Sequence, residues 1–399
     1  MSLDLNKVAP QVSSMVARLK DKSADMQQRL QYALDTLCNK TTDLDALRRK
    51  IASSRTTWLV ADLVEGLDGR YGVSPLPQDF TVIATDGSQI DVDRHRSMRC
   101  YLINIGSAVI HYSDEPDAIF GSYPQLYAGD EELVITPAGT GGREQPIEGA
   151  LLGIKRFVDE CRQLTNIATG MPAGSSTMAL IDGSLILWGL EPYSDFVTEA
   201  LLKQGFLKYL DEMKKLNNDR QLALASYISF PRSADVVNTL RVAICPFEVV
   251  DTDRYCKDCT TRECDAVTRI TDREMFTGLL SPKERSDLFV SQSSVIQKHY
   301  GVHRVYFFYL RTDDEIARVE IPQWVAMNEE LLNLTHRLIL DQCRRGHGYP
   351  VALSEAHEQA VVTGMDRENF WQLVESSLVE KSMPAYGSAK SFSKRTRWI

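Results

Sequence analysis

The tripeptide Asp-Gly-Ser occurs twice in this chain, in ATDGSQI (84–90) and in LIDGSLI (180–186). Each copy follows an apolar run that reads as a core strand. A lone Asp-Gly is usually a turn, but two copies behind core strands, with a helix ahead of the second, form a pattern that chemistry can use. Side chains at strand ends of an α/β sheet open into the crevice where sites are built. Gly87 and Gly183 leave room for a close approach to the backbone. Carboxylates of Asp86 and Asp182 on neighbouring strands could share divalent cations, and hard oxygen ligands suit Mg²⁺ or Mn²⁺. Two such ions about 3.5–4 Å apart activate a water and stabilise the leaving oxygen in phosphodiester hydrolysis.

A third carboxylate would complete such a set. The amphipathic stretch Ile147 to Leu164, with apolar Leu151, Ile154, Phe157, Val158 and Cys161, offers Glu160 and Glu148. Glu160 lies nearer the second strand and is favoured; Glu148 remains open. Near the other end, GHGYPVALSEAHEQAVV (346–362) places Tyr349 just before a helix that Pro350 pre-sets and His357 about two turns inside it. A phenol there can hydrogen-bond a phosphate, and an imidazole can bind metal or carry a proton.

Cys245, Cys256, Cys259 and Cys264 are four of eight cysteines and fall in one short charged segment. Four thiolates can hold a structural Zn²⁺ or an iron–sulfur cluster; incidental free thiols on a loop are the plain alternative. The tail carries Lys390, Lys394, Arg395 and Arg397 before Trp398 and Ile399, a composition that can touch DNA, dock a partner or simply fray.

The elements that must position these groups follow from periodicity. Residues 1 to about 66 read as helical, with stripes Val12, Met15, Val16, Leu19 and Leu30, Ala33, Leu34, Leu37. Strands are expected at Phe80–Thr85, Cys100–Tyr112, Met178–Ile181, Gln221–Ile228, Val305–Leu310 and Ile316–Ile321. Helices are expected over Phe196–Leu216, Ser233–Leu240, Val325–Cys343 and Leu353–Thr363, with a loop-rich stretch at 113–146. This order predicts an α/β layer fold: an N-terminal helical region (1–70) serving as a dimer or partner contact, a main domain (78–365) with a Cys-rich insertion at about 245–265, and a C-terminal helix with the basic tail (366–399). With 399 residues the chain can bury a sizeable core. Its 45 basic against 54 acidic residues, net −9, argue against a surface coated in positive charge and leave room for a local basic channel. No apolar run is long enough for a membrane span and no signal pattern opens the chain, so a cytoplasmic location is expected.

Together these residues resemble the NurA-type nucleases. The resemblance covers about 80–365 and rests on Asp86-Gly87-Ser88, a helix Glu, Asp182-Gly183-Ser184-Leu185, the late strand pair FYLR…ARVEIPQW (308–324), and Gly348-Tyr349-Pro350 with Ala356-His357. It implies an RNase H-like mixed sheet flanked by helices, here with an N-terminal helical extension. It implies a Mn²⁺-dependent (or Mg²⁺-dependent) 5′ to 3′ exonuclease on single- and double-stranded DNA, with some endonuclease action on single strands. It also implies a homodimer docked on a HerA-type hexameric translocase ATPase in DNA end processing, repair or defence. By the same resemblance Asp86, Glu160, Asp182 and His357 hold metal, and Tyr349 positions DNA or the attacking water. The competing reading is a non-catalytic adaptor of such an ATPase with a degenerate core, which the joint presence of Asp86, Asp182, Tyr349 and His357 disfavours. A metal-dependent phosphatase or an RNase would use the same carboxylates.

Overall fold

The structure, a computed structural model, describes residues 3–383 except 40–42, 94, 97, 138, 140–142 and 175. The basic tail from Lys390 to Ile399 lies outside the described residues. The chain forms two compact units. Of the described residues, the core unit takes those within 74–227, 298–303 and 320–383, and the N-terminal unit those within 3–73, 228–297 and 304–319.

The core unit is built on five strands: β1 (Phe80–Ile90), β2 (Tyr101–Tyr112), β3 (Asp117–Tyr127), β4 (Ser176–Asp182) and β5 (Gln221–Ile228). β1, β2 and β3 are antiparallel neighbours, whereas β4 runs parallel to β1 and β5 parallel to β4. The order is therefore β3-β2-β1-β4-β5. Three antiparallel strands extended by two parallel ones, with helix α1 (Ala150–Thr169) between β3 and β4, define an RNase H-like core. β1 and β4 are rich in β-branched residues and buried on both faces, so their sequences show continuous apolar runs rather than alternation. α1 buries Leu151, Leu152, Val158, Cys161, Leu164 and Ala168. Later helices are α2 (Glu329–Arg345), α3 (Val351–Ala360) and α4 (Gly364–Glu380).

Three expectations need correction in the core unit. The first Asp-Gly-Ser is no turn: β1 continues through it to Ile90, and Asp86 pairs with Gly106 inside the antiparallel ladder. The stretch 113–146 contains an eleven-residue strand, β3. It is the last strand of its sheet and exposed along nearly its whole length, so it shows no apolar alternation, and an edge position tolerates Gly121 and Pro124. The helix expected over Val325–Cys343 is two pieces, Gln323–Ala326 and α2, because Asn328 leaves the helical conformation and caps α2 by accepting from Leu331 N at 3.2 Å.

In the N-terminal unit the helix Leu5–Leu37 is divided in character. Ala33 and Leu37 are buried, while Val12, Met15, Val16 and Leu19 are exposed. Helix Leu44–Ser53 adds Leu47 and Ile51 to the core of this unit. The helical reading to about residue 66 fails at Ala61–Leu63, a strand antiparallel to Phe289–Ser291. Its partner is distant in sequence, so local periodicity could not reveal it. Helix Asp235–Ile244 is fixed by a buried ion pair, Arg318 Nη1 to Asp235 Oδ2 at 2.9 Å, and by Asp272, which accepts from Val237 N at 2.8 Å and Tyr309 OH at 2.6 Å.

Candidate active site

The site begins where the parallel ladder ends. β1 and β4 pair from Thr81↔Thr177 to Thr85↔Ile181, so Asp86 and Asp182 are the next residues on each strand. Both carboxylates then face the crevice beyond the carboxyl ends of parallel strands. On its other side Asp86 stands opposite Gly106 of β2. A Cβ on Gly106 would lie 2.1 Å from the Ala356 carbonyl oxygen and 2.4 Å from the Ala360 nitrogen. Glycine is thus what lets the backbone of α3 rest on β2 beside Asp86.

Three hydrogen bonds hold α3 in that seat. Asn104 Nδ2 donates to the carbonyls of Gln359 and Ala360 at 3.2 and 3.0 Å, and Ser88 Oγ also donates to Ala360 O. These satisfy carbonyls that a helix end leaves unpaired. The seat brings His357 Nδ1 to 2.6 Å from Asp86 Oδ2. That contact occupies Nδ1, and the ring is otherwise largely exposed.

α1 supplies the floor. Thr85 Oγ1 donates to the Glu160 carbonyl at 3.1 Å, locking Glu160 in register with Asp86. At Gly87 a Cβ would come within 2.5 Å of Glu160 Oε1, so this glycine too permits the close approach. Glu160 is buried, and Arg156 Nε donates to its Oε1 at 3.0 Å. Burial pushes the Glu160 carboxyl up to about 8, Arg156 opposes the rise, and Asp86 and Asp182 add to it by repulsion. Glu148 is elsewhere, on the surface in an ion pair with Arg99 at 3.1 Å. The two helix carboxylates are therefore separated: Glu160 enters the site and Glu148 does not.

Asp182 lies at the mouth. It is exposed to solvent, yet the surrounding protein raises its carboxyl, a hydrogen bond from Tyr349 opposes this, and Asp86 raises it further. The Tyr349 phenol is pushed well above its ordinary value by burial and by Asp182. Its ring meets Tyr227 edge-on at 5.6 Å. The turn after Asp182 is held from below: buried Glu320 accepts from Ser184 Oγ at 2.8 Å and from Leu185 N at 2.9 Å.

The structure thus brings together all five expected residues, Asp86, Glu160, Asp182, Tyr349 and His357. Sequence reasoning missed the residues that hold them: Ser88, Asn104, Gly106, Arg156 and Glu320. The Asp-Gly-Ser repeat was a usable signal for Ser88 and Ser184, whose hydroxyls anchor the two acidic segments. Nothing local in the sequence marks Glu320, because its partner lies 136 residues away.

The donor set suits a hard divalent cation. Three mutually repelling carboxylates converge, and the most buried is driven toward its neutral form unless positive charge arrives. Among the described residues no three His, Cys, Asp or Glu side chains are closed around a metal position. The hydrogen bonds explain this: Asp86 is engaged by His357, Asp182 by Tyr349 and Glu160 by Arg156. Shared coordination requires those contacts to loosen.

An RNase H-like sheet with acidic groups at the ends of β1 and β4 and on α1 defines the class: an acidic-site α/β protein of the RNase H type. The NurA domain family model matches residues 80–362, and the chain belongs to that family, whose members are generally nucleases. No curated protein matches the chain. Among solved structures, similarity is found to the Argonaute of Aquifex aeolicus, at 12% identity and a TM-score of 0.26, over 70% of this chain and 28% of that one. It is found also to Drosophila Piwi, at 11% identity and a TM-score of 0.28, over 72% of this chain and 29% of that one. The chain thus spans under a third of either protein, and the fold assignment stands on strand order rather than on these likenesses. No helix among the described residues is long and apolar enough to cross a membrane.

Proposed function

We propose that this chain is a divalent-metal-dependent deoxyribonuclease that uses Mn²⁺ or Mg²⁺ at Asp86, Glu160 and Asp182. The observation that carries the reading is the convergence of three carboxylates from β1, α1 and β4 with Tyr349 and His357, which one short segment delivers. The bound metal would supply Lewis-acid activation of water and charge neutralisation at the phosphate. The chain's own residues do the remaining work. Asp86, Glu160 and Asp182 provide oxygen ligands; Tyr349 fixes Asp182; Asp86 orients the His357 ring so that Nε2 can meet a phosphate oxygen or pass a proton. A 5′ to 3′ exonuclease direction, endonuclease action on single strands, a homodimer, a HerA-type hexameric ATPase as partner, and a place in DNA end processing, repair or defence belong to the proposal through the family.

The test is degradation of end-labelled single- and double-stranded DNA with Mn²⁺, Mg²⁺ or EDTA, with Asp86→Asn alongside. Metal-dependent cleavage by the unaltered protein alone supports the reading. Equal cleavage by the variant places the activity elsewhere. Failure to cleave with or without a translocase partner, at full metal loading, would leave the adaptor reading in possession.

A further inference from the structure

Residues 245–264 carry four cysteines at the spacing C-x₁₀-C-x₂-C-x₄-C, and the fold of the N-terminal unit gathers them at one end of helix Asp235–Ile244. Cys245 is the residue that ends that helix. The chain then doubles back: the Phe247 ring stacks on Tyr255 with centroids 4.9 Å apart and an interplanar angle of 11°. Cys245 lies two residues before this stack and Cys256 directly after it. Cys264 sits on the short turn Glu263–Val267, which packs on the same helix. That turn is pinned by Arg29, whose Nη1 donates to Asp265 O at 2.5 Å and to Thr268 Oγ1 at 3.3 Å.

The apolar core of this unit takes in Cys245, with Val250 and Val267 of the same stretch, but not the other three thiols. Cys256 is exposed and Cys259 and Cys264 are half-buried. Between them the chain runs in turns and bends, tied to Arg55 by the bridge Arg55↔Asp251 and by backbone bonds with Val250 and Thr252.

Two cations attend the cluster. Arg241 lies one helical turn before Cys245 and acts on both Cys256 and Cys264. Its guanidinium rests over Trp58 at 4.1 Å, and its Nε is buried without a hydrogen-bond partner. Lys50 Nζ donates to the Cys245 carbonyl at 2.5 Å. A tetrathiolate around a dication carries a net charge of about −2, which one guanidinium and one ammonium offset.

We propose that Cys245, Cys256, Cys259 and Cys264 form a structural zinc site that staples this segment to the end of helix Asp235–Ile244. Zinc fits a closed set of four sulfurs. The spacing lacks the C-x₂-C-x₂-C and C-x₄-C-x₂-C runs typical of ferredoxin clusters. Four S–H bonds are lost as four Zn–S bonds form, and the protons pass to solvent, so no oxidant or reductant is required. Among the described residues no group of three or more His, Cys, Asp or Glu side chains is placed to hold a metal ion, so zinc has to draw the thiols in, and its binding supplies free energy that orders the segment. Four sulfurs leave no open coordination position, so the site is distinct in kind from the carboxylate centre.

The experiment is elemental analysis of full-length protein produced with zinc and purified without chelator. Cys256→Ser/Cys259→Ser and Asp86→Asn/Asp182→Asn are measured beside it. The expected result is one zinc per chain, kept by the aspartate variant and lost from the cysteine variant. Cobalt reconstitution of the unaltered protein should give thiolate-to-cobalt charge-transfer bands and the strong visible absorption of a tetrahedral ion, a readout that does not depend on the cysteine variant folding. Zinc-free unaltered protein, zinc lost only from the aspartate variant, or iron with broad visible absorption would each overturn the assignment.

Discussion

The carboxylates of the core unit are drawn from distant sequence positions and the thiols of the N-terminal unit from one short segment, and the two sets are held differently. Each carboxylate stands on a strand or helix and is held by a defined partner: Asp86 by His357 of α3, Glu160 by Thr85 of β1 and Arg156 of its own helix, and Asp182 by Tyr349 in the bend before α3. The thiols stand on turns, with one ring stack and two cations around them. A site built on regular elements is placed before its ligand arrives, whereas a site built on turns needs its ligand to be placed. Removing metal should therefore leave the carboxylate centre folded and loosen the cysteine segment. Three substitutions probe the carboxylate centre and a fourth the N-terminal helix, from the largest expected effect to the smallest.

Glu160→Gln should be the most damaging to activity. Loss of a supporting partner at a metal site costs roughly 10–100-fold, and loss of a ligand should exceed that in DNA-cleavage assays. Stability should move the other way. The folded pKa of Glu160, about 8, lies above the ordinary carboxyl value, so the metal-free native state binds the extra proton. Stability is then greatest below the unfolded pKa and falls as pH rises toward the folded one. Urea unfolding in EDTA should show this decline between about pH 4.5 and 8, and the glutamine variant should flatten it. An unchanged pH profile would mean that Glu160 is not held as described.

Glu320→Gln comes next. Ser184 Oγ and Leu185 N both donate to the single oxygen Oε2 of Glu320; glutamine would keep them only with its carbonyl end in that place, and without the charge that strengthens them. Metal affinity, read from the Mn²⁺ concentration for half-maximal cleavage, should weaken by roughly 10–100-fold, with a smaller change at saturating metal. A loss of maximal rate with no change in metal dependence would deny Glu320 its positioning role. Gly106→Ala follows. Its Cβ would strike the backbone of α3, at a cost of about 1–3 kcal/mol for overpacking. Because α3 carries His357, cleavage should fall further than thermal stability predicts. A variant that loses stability but keeps full activity would show that the seat does not serve the site.

Much of this was legible because periodicity and composition act locally. β1, β2, β4, β5 and α1 each announce themselves through apolar runs or stripes, and the Asp-Gly-Ser repeat and the Gly-Tyr-Pro segment mark four of the five site residues. Glu160 was separable from Glu148 only by its nearness to β4 until packing placed one inside and the other on the surface. What stayed hidden was non-local. β3 is exposed and carries no alternation, Ala61–Leu63 becomes a strand only through Phe289–Ser291, and Glu320 acquires its role from Ser184. The same limit explains the first Asp-Gly-Ser: the dipeptide favours a turn, but eleven paired residues of β2 hold it extended.

The smallest effect is expected on the N-terminal helix, where the contrast between a placed and an unplaced element is sharpest. Ala33 and Leu37 at its far end are buried in the core of their unit, while Leu19 is 60% exposed. An exposed apolar side chain contributes little to folding, so Leu19→Ala should shift unfolding free energy by no more than about 0.5 kcal/mol. The measurement is thermal unfolding over a hundredfold range of protein concentration. If the stripe Val12, Met15, Val16 and Leu19 packs on a second copy, the unaltered protein will melt higher as concentration rises, and Leu19→Ala will remove that dependence. A flat profile in both proteins would mean that this half of the helix is stabilised by nothing beyond its own turns, and its role as a contact between copies would fall.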